Sequence, residues 1–250
     1  MYFVSPGTGF DILYRVGLFD ISGWVQDWLI IHAVKKTRWG GKLENVAIEV
    51  LSGADFRVET IHVVRNPKVS VNYDIKVPFN VVVKSIQTSN GAIDLEETRG
   101  DTEIRTSNGT IEVEGSEGNI GANTSNGSIE IEDVKGYVSA RTSNGSISIE
   151  GTTGIVELET SNGTIDAEVR EVGEHGTRLR TSNGAIKVEI DPALNIDLEA
   201  KTSNGKISVE DLEVVVKEMS KTALRGKLGD GGRKVSCRTS NGAIKLKILK

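Results

Sequence analysis

The chain has 250 residues and a formal net charge of −5, which allows one large domain or two small ones. The sequence pI of about 5.4 argues against a nucleic-acid partner, because binding nucleic acid calls for a predominantly basic surface. The single cysteine, Cys237, excludes an internal disulfide framework and a zinc site built from cysteines.

Aromatic residues are concentrated at the start of the chain. All three tryptophans lie within the first 40 residues, whereas Tyr137 is the only aromatic residue after Thr88. We therefore predict that residues 1–42 form an aromatic-rich, amphipathic N-terminal cap. These residues lack a basic region followed by an uninterrupted apolar run, so no standard signal peptide is expected.

Residues 16–34 are apolar in bulk but contain Asp20 and Asp27, so they do not predict a transmembrane helix. Two interpretations stay open. The segment is either an amphipathic helix or strand pair that covers the end of the core, or a membrane-surface segment with Trp24 and Trp28 at the interface. We favour the first.

A tetrapeptide repeat dominates the rest of the chain. TSNG occurs eight times, and the spacings between successive threonines are 18, 18, 18, 18, 21, 21 and 37 residues. Five residues after each threonine stands an isoleucine, and the residue two further on is also apolar, which predicts a strand after every corner. We predict irregular lead-in strands over residues 43–87 and a repeat domain over residues 88–250. The isoleucines are Ile93, Ile111, Ile129, Ile147, Ile165, Ile186, Ile207 and Ile244.

A second strand is predicted before each threonine. Residues two and four positions upstream are mostly apolar or threonine, and they include Val138 and Val156, which we expect to face inward. Each unit is thus a strand, the SNG corner, a second strand and a second corner. All insertions fall in the second corner, the longest within residues 212–233.

Two folds fit this pattern. A long antiparallel β-meander would use Asn-Gly as a hairpin turn. A single-stranded parallel β-helix (a β-solenoid, expected to be right-handed) of about eight 18-residue coils would stack each TSNG on the next. We favour the all-β solenoid, because a hairpin needs Asn-Gly but is indifferent to the preceding Thr-Ser. Its structural corner comprises Asn90, Gly91, Asn108, Gly109, Asn126, Gly127, Asn144, Gly145, Asn162, Gly163, Asn183, Gly184, Asn204, Gly205, Asn241 and Gly242. We expect glycine to supply a positive φ there.

The lead-in YDIKVPFNVVVKSIQTSNGAIDL, followed by units of the form TSNGxIxVExxxGxVxAxTSNG, resembles the proposed adhesin family of β-strand repeat proteins, the domain of unknown function numbered 4097. The resemblance covers roughly residues 45–250. It implies a parallel β-helix, an adhesin-like role and a location at the cell envelope or outside the cell. It implies no catalytic residue.

A row of acidic residues is the most regular outward-facing feature. The eighth residue after each threonine is glutamate in seven of the eight units. This row is either a solvated polar face or a face that binds divalent cations or a basic partner, and we favour the former. Its members are Glu96, Glu114, Glu132, Glu150, Glu168, Glu189 and Glu210. A second outward row, just before TSNG, is basic: Arg105, Arg141, Arg180, Lys201 and Arg238.

The sequence shows no recognisable arrangement of catalytic residues. The three histidines match no metal-ligand spacing, and Cys237 stands at an inward position. We predict no catalytic residue, cofactor or metal site, and a rigid adhesin-like binding or scaffolding module that engages a protein or glycan at the cell surface. Two alternatives stay open: a polysaccharide-active β-helix enzyme and an intracellular protein that assembles end to end.

Overall fold

A computed structural model describes residues 2–3, 5–13, 17–37, 40–53 and 55–250. The first residue of the 16–34 segment lies outside these ranges. The described residues form 25 strands and one 3-10 turn, with no α-helix. A helix over residues 17–34 is therefore wrong.

Eight strands precede the first TSNG corner, and this part of the chain carries the aromatic residues of the core. The strands are β1 (Tyr2–Phe3), β2 (Gly9–Leu13), β3 (Phe19–Trp24), β4 (Trp28–Thr37), β5 (Val46–Ser52), β6 (Asp55–His62), β7 (Val69–Pro78) and β8 (Val82–Gln87), and the 3-10 turn is Leu43–Asn45.

The other strands belong to the repeat units and flank their corners. They are β9 (Ile93–Glu96), β10 (Thr102–Arg105), β11 (Ile111–Glu114), β12 (Ile120–Asn123), β13 (Ile129–Glu132), β14 (Tyr137–Asn144), β15 (Ile147–Glu150), β16 (Gly154–Asn162), β17 (Ile165–Val169), β18 (Thr177–Asn183), β19 (Ile186–Ile190), β20 (Ile196–Asn204), β21 (Ile207–Glu210), β22 (Val215–Met219), β23 (Ala223–Leu228), β24 (Arg233–Asn241) and β25 (Ile244–Ile248).

Neighbouring units pair in parallel, so that residue i lies beside residue i+18 over the regular coils. In β11 and β13, Ile111 pairs with Ile129 and Glu114 with Glu132. The β-solenoid is thereby confirmed. The antiparallel meander is wrong, because it would pair the two strands of one unit with each other.

Each coil contributes one strand to each of two sheets. The downstream sheet, whose repeat strands follow a TSNG corner, has the order β1-β4-β7-β3-β9-β11-β13-β15-β17-β19-β25-β21. The upstream sheet, whose repeat strands precede a corner, has the order β22-β23-β20-β24-β18-β16-β14-β12-β10-β8-β2-β6-β5. Side chains alternate between the core and the outer face of each sheet.

The coils near the C-terminus do not stack in sequence order. The coil of the eighth unit, β24 and β25, lies between those of the sixth and seventh units. Ile244 accordingly pairs with Ile186 on one side and with Ile207 on the other. The last coil in the sequence is therefore not the last coil of the stack.

The N-terminal segment is interleaved in the same way. Strand β2 lies between β6 and β8, and β3 lies between β7 and β9. Residues 9–13 and 17–24 thus supply two strands inside the stack, although they carry no TSNG. Strands β1 and β4 do lie at the end of the downstream sheet, and β7 separates β4 from β3, so β3 and β4 are not a strand pair.

The core between the sheets is thin and aliphatic along the repeat. All eight isoleucines that follow the corners are at most 2% exposed. Burying such a side chain contributes roughly 1.5–3 kcal/mol. Rings enter the core only near the N-terminus, where those of Phe19 and Tyr73 stack with centroids 5.1 Å apart.

One inward position differs from the sequence prediction. The pairing of β14 with β16 shifts by one residue between Val138 and Ser139, so that Val138 pairs with Ile155. Ile155 is fully buried, whereas Val156 is 40% exposed on the outer face of the upstream sheet. The expectation that Val156 faces inward is wrong, because this β-bulge adds one residue to the strand.

Candidate functional site

The asparagines of the eight corners lie in one column. Each side-chain amide from Asn108 onward donates to the side-chain oxygen of the preceding coil, over distances of 2.7 to 3.0 Å. In spatial order the column is Asn90, Asn108, Asn126, Asn144, Asn162, Asn183, Asn241 and Asn204. The corner therefore joins the coils through side chains as well as backbone.

Glycine is needed at these corners because the backbones of neighbouring coils approach each other closely. The prediction of a positive φ is wrong, because none of the TSNG glycines has one. A Cβ built on Gly145 would lie 2.0 Å from the carbonyl oxygen of Gly127. Any other residue would push the coils apart, because real Cβ atoms do not approach oxygen so closely. The same short approach recurs at the other TSNG glycines.

The corner threonines bind the coil beneath them. The hydroxyl of Thr142 donates to the carbonyl oxygen of Gly127 at 3.0 Å, and the pattern recurs from Thr106 to the last unit. Thr88 is the exception: its buried hydroxyl finds no partner among the described residues. The coil beside it, which contains β2 and β3, has no TSNG corner.

The outer face of the downstream sheet carries the acidic row. Glu96, Glu114, Glu132 and Glu150 lie side by side on successive strands. A second row runs beside them through Asp94, Glu112 and Glu130, and Asp20 of the interleaved N-terminal coil extends it. We call these eight residues the open acidic face, because none of them forms an ion pair with a described residue.

Crowding of like charges shows in the pKa values of this face. Burial raises the pKa of Asp94, and the charges of Glu96, Glu112 and Asp20 raise it further. Burial also raises the pKa of Glu150, followed by repulsion from Glu168 and Glu132. The open acidic face therefore costs folding energy that a cationic partner would offset.

The other three glutamates of the row are neutralised. Glu168 accepts from Arg170 at 2.8 Å, Glu189 pairs with Lys187 at 3.3 Å, and Glu210 pairs with Lys245 at 2.8 Å. Lys187 also pairs with Asp166, which lies in the second row, at 3.1 Å. We call Asp166, Glu168, Glu189 and Glu210 the paired acidic segment.

Among the described residues, the acidic row is thus unpaired from Glu96 to Glu150 and ion-paired from Glu168 to Glu210. Burial acts to raise the pKa of Glu168, but hydrogen bonds from the Gly151 amide and Arg170 outweigh it, so the pKa is lowered.

No group of three or more histidine, cysteine, aspartate or glutamate side chains suited to a metal ion is found within residues 2–3, 5–13, 17–37, 40–53 and 55–250. The divalent-cation interpretation of the acidic row gains no geometric support from this.

The basic row lies on the opposite face, along the upstream sheet. Arg105 pairs with Glu103 at 3.1 Å, Arg141 with Glu157 and Glu159, and Arg238 with Glu199 at 2.9 Å. Arg180 and Lys201 make no ion pair with a described residue. Most of this face is a mixed-charge surface, unlike the open acidic face.

The histidines and the cysteine remain apart from one another in the fold. His32 lies in β4 of the downstream sheet, His62 in β6 of the upstream sheet, and His175 in the corner between β17 and β18. Complete burial raises the pKa of the Cys237 thiol to about 12, so it is a core residue and not a nucleophile.

The insertion within residues 212–233 adds two strands to the end of the upstream sheet. Strands β22 and β23 form a hairpin, and β23 pairs antiparallel with β20 at the end of the upstream sheet. Its Gly-Asp-Gly-Gly stretch is an ordered turn in which the Asp230 amide donates to the side chain of Asn195 at 2.8 Å. The insertion therefore covers a coil edge.

Two tryptophans of the 16–34 segment meet near the N-terminal end of the stack. The rings of Trp24 and Trp28 pack edge to face with centroids 5.7 Å apart, and the Trp24 indole donates to the Trp28 carbonyl. Val25 beside them is 81% exposed. Contact of this segment with a membrane stays a prediction. None of the described residues belongs to a helix long and apolar enough to span a bilayer.

Asp20 is a member of the open acidic face that the sequence analysis missed. It lies far from any TSNG, so the repeat period gives no hint of its place. Alternation in FDISGW marks a strand, but only the interleaving of β3 brings this carboxylate beside Asp94.

The stacked, asparagine-bonded coils define a repeat protein of the β-solenoid class. Residues 85–247 match the model of the Toastrack family, DUF4097, and the chain belongs to that family. No curated protein matches the chain significantly. A solved structure from Clostridium sporogenes ATCC 15579, described as that of a candidate cell adhesion protein, is similar over 99% of this chain and 97% of its own, at 12% identity and a TM-score of 0.31.

Proposed function

We propose that the protein is a non-enzymatic, rigid β-solenoid that binds or scaffolds at the cell envelope in an adhesin-like way, with the open acidic face as its docking surface for a basic partner. One observation carries this proposal. The face places unpaired carboxylates on adjacent strands of a rigid sheet, where burial, followed by repulsion from neighbouring carboxylates, raises the pKa of Asp94.

Rigidity favours binding through such a face. Strands about 4.8 Å apart hold the carboxylates in fixed rows, so a cationic partner meets a pre-formed surface. Because long-range attraction between opposite charges is screened by salt, association should be fast in dilute buffer and weaken as ionic strength rises.

A polysaccharide-active enzyme receives less support. The longest insertion, within residues 212–233, contains the β22–β23 hairpin at the end of the upstream sheet. Within it, Arg225 and Glu218 lie 3.9 Å apart as an exposed ion pair, and neither is positioned as a general acid or base over a cleft.

End-to-end assembly also receives less support. The β22–β23 hairpin occupies the end of the upstream sheet, and its edge strand has Lys217 at a bulge. Bulges and lysines on edge strands discourage pairing with a second chain.

The test compares two variants that remove equal charge. One replaces Glu112, Glu114, Glu130 and Glu132 by glutamine; the other replaces the paired acidic segment by Asp166→Asn, Glu168→Gln, Glu189→Gln and Glu210→Gln. Binding to immobilised poly-lysine is measured by surface plasmon resonance, with far-UV circular dichroism as the folding control. We expect the first variant to lose at least tenfold in affinity and the second less than threefold. Equal losses would show that only net charge matters and would overturn the docking surface.

The envelope location is tested separately. Antibodies against the protein, applied to intact and lysed cells of its source, should label intact cells or the envelope fraction. Label confined to the soluble fraction of lysed cells would contradict the location and favour the intracellular alternative.

A further inference from the structure

Departures from the repeat converge at one place on the outer face of the upstream sheet. Tyr137 is the only aromatic residue after Thr88, Gly121 stands where neighbouring coils carry larger side chains, Val156 is turned outward by the bulge, and the corner 170–176 is three residues longer than the regular ones. Tyr137, Gly121, Val156 and residues 173–176 of that corner all line one cleft of about 600 Å³. Stacking alone gives no reason for these departures to cluster.

Small side chains give the cleft its depth. In register across four strands lie Glu103, Gly121, Ser139 and Glu157, so the two small residues leave a depression between two glutamates. Residues 173–176 form the wall on one side.

Tyr137 is held in a fixed orientation at this wall. Its hydroxyl donates to Glu171 at 2.5 Å, and a Cβ at Gly173 would lie only 3.1 Å from the ring. The hydrogen bond to Glu171 raises the pKa of Tyr137, with burial adding to it, so the phenol stays protonated at neutral pH. The ring is therefore pre-organised before a ligand arrives.

The rim offers several hydrogen-bonding groups, and the charge of its Glu103 carboxylate is already compensated. Glu103 accepts from Asn123 at 2.9 Å and pairs with Arg105 at 3.1 Å. The side-chain oxygen of Asn119 accepts from the Tyr137 amide at 2.9 Å, while its side-chain nitrogen makes no bond to a described residue. Ser139 and His175 add further donors and acceptors.

We propose that this cleft binds a single sugar residue of a neutral glycan. A sugar ring has an apolar C–H face, which suits Tyr137 and Val156, and a rim of hydroxyls, which suits Glu103, Asn119, Ser139 and His175. Charged side chains also line the cleft, namely Lys84, Asp101 and Glu174, so a cationic probe is included in the test. The inference rests on the proposed binding function. It adds a second binding site on the other sheet, remote from the open acidic face, and assigns neutral glycans to it as the ligand class.

The test uses the purified full chain and defined probes. Cellotetraose, chitotetraose, mannotetraose and maltotetraose are titrated by saturation-transfer NMR and calorimetry, with tetralysine as a cationic comparison. We expect at least one tetrasaccharide to bind. Tyr137→Ala and Gly121→Gln should each weaken that binding at least tenfold. The second fills the depression at little structural cost, because a Cβ at residue 121 meets only the flexible carboxylate of Glu103.

Ser125→Ala, at an exposed corner far from the cleft, is the matched control and should leave binding unchanged. No binding of any tetrasaccharide to the wild-type chain, binding insensitive to both cleft variants, or cleft-dependent binding of tetralysine alone would each overturn the inference. If sugars fail while binding to poly-lysine still depends on Glu112, Glu114, Glu130 and Glu132, only this inference falls and the proposed function stands.

Discussion

The side-chain amide of Asn126 donates to the side-chain oxygen of Asn108 at 2.9 Å, and the oxygen of Asn126 in turn accepts from Asn144 at 3.0 Å. Each asparagine within the column thus has one bond in either direction. A replacement at one position breaks two bonds, and each of its two neighbours then keeps only one of its two bonds.

Asn126→Ala should lower the free energy of unfolding by about 1–2 kcal/mol, because two hydrogen bonds are lost and each contributes about 1 kcal/mol. Urea denaturation followed by circular dichroism measures this. Ser125→Ala, in the same corner, is the control and should change stability by less than about 0.5 kcal/mol. Equal effects of the two variants would mean that the asparagine column does not hold the coils together.

Gly145→Ala should be far more damaging. Its new Cβ would lie 2.0 Å from the Gly127 carbonyl oxygen, and neither backbone can move without separating two coils. We expect a loss of about 3 kcal/mol or more, or failure to accumulate as folded protein. Thermal unfolding is the measurement. Gly53→Ala, where the nearest atom is 3.9 Å from the new Cβ, is the matched control and should be tolerated.

The bulge in β16 supplies a pair of neighbouring residues with opposite expectations. Ile155→Thr places a hydroxyl in the core and should cost about 1–3 kcal/mol, whereas Val156→Thr should cost less than about 0.5 kcal/mol. Chemical denaturation of the two variants decides between the observed register and the simple alternation. The reverse order of costs would place Val156 in the core and remove it from the cleft.

Much of the fold can be predicted from the sequence because the repeat has a constant period and an invariant tetrapeptide. The period of 18 gives the strands, their faces and the parallel register, and the constancy of TSNG gives the stacked column. The bulge at Val156 cannot be predicted, since Ile155 and Val156 are equally apolar and only the pairing with Val138 selects between them.

The order of the terminal coils is also beyond the sequence. The seventh and eighth units both offer Thr, Asn, Gly and Ile to the sixth, so local pattern does not say which one stacks there. The β22–β23 hairpin favours the seventh coil at the end, because β23 pairs with β20 and occupies the edge that β24 would otherwise need. Strands β2 and β3 adjoin no TSNG corner, and their places beside β8 and β9 follow from tertiary pairing alone.

The acidic face makes stability depend on pH in a definite direction. Because the folded-state pKa of Asp94 is raised above its ordinary value of 3.8, its ionisation destabilises the fold as pH rises through the raised pKa. Asp94→Asn should therefore stabilise the protein at pH 7 by about 0.2–1 kcal/mol, and the gain should shrink as pH falls through the raised pKa and Asp94 becomes protonated. Thermal unfolding across this pH range measures the difference.

Glu168→Gln is the contrasting variant. The pKa of Glu168 is lowered, so its carboxylate stabilises the fold above its ordinary pKa of 4.5, and that contribution is lost on acidification. The variant should be less stable than the wild type at pH 7. Stabilisation by both variants at pH 7 would contradict the division of the acidic row into an open face and a paired segment.

The central feature of the stack is a single column of corners in which the eighth coil lies between the sixth and the seventh. Engineered disulfides test this directly, because residues in register on adjacent strands lie about 4.8 Å apart, whereas two coils apart they exceed the roughly 6.8 Å that a disulfide allows. The residues that flank Ser240, namely Thr239 and Asn241, pair with the residues that flank Ser182 and with those that flank Ser203, so the three serines are in register. Oxidised Ser182→Cys/Ser240→Cys and Ser203→Cys/Ser240→Cys should form internal disulfides, and Ser182→Cys/Ser203→Cys should not. A disulfide in the third pair with none in the first would restore the sequence order of the coils and contradict the interleaved stack.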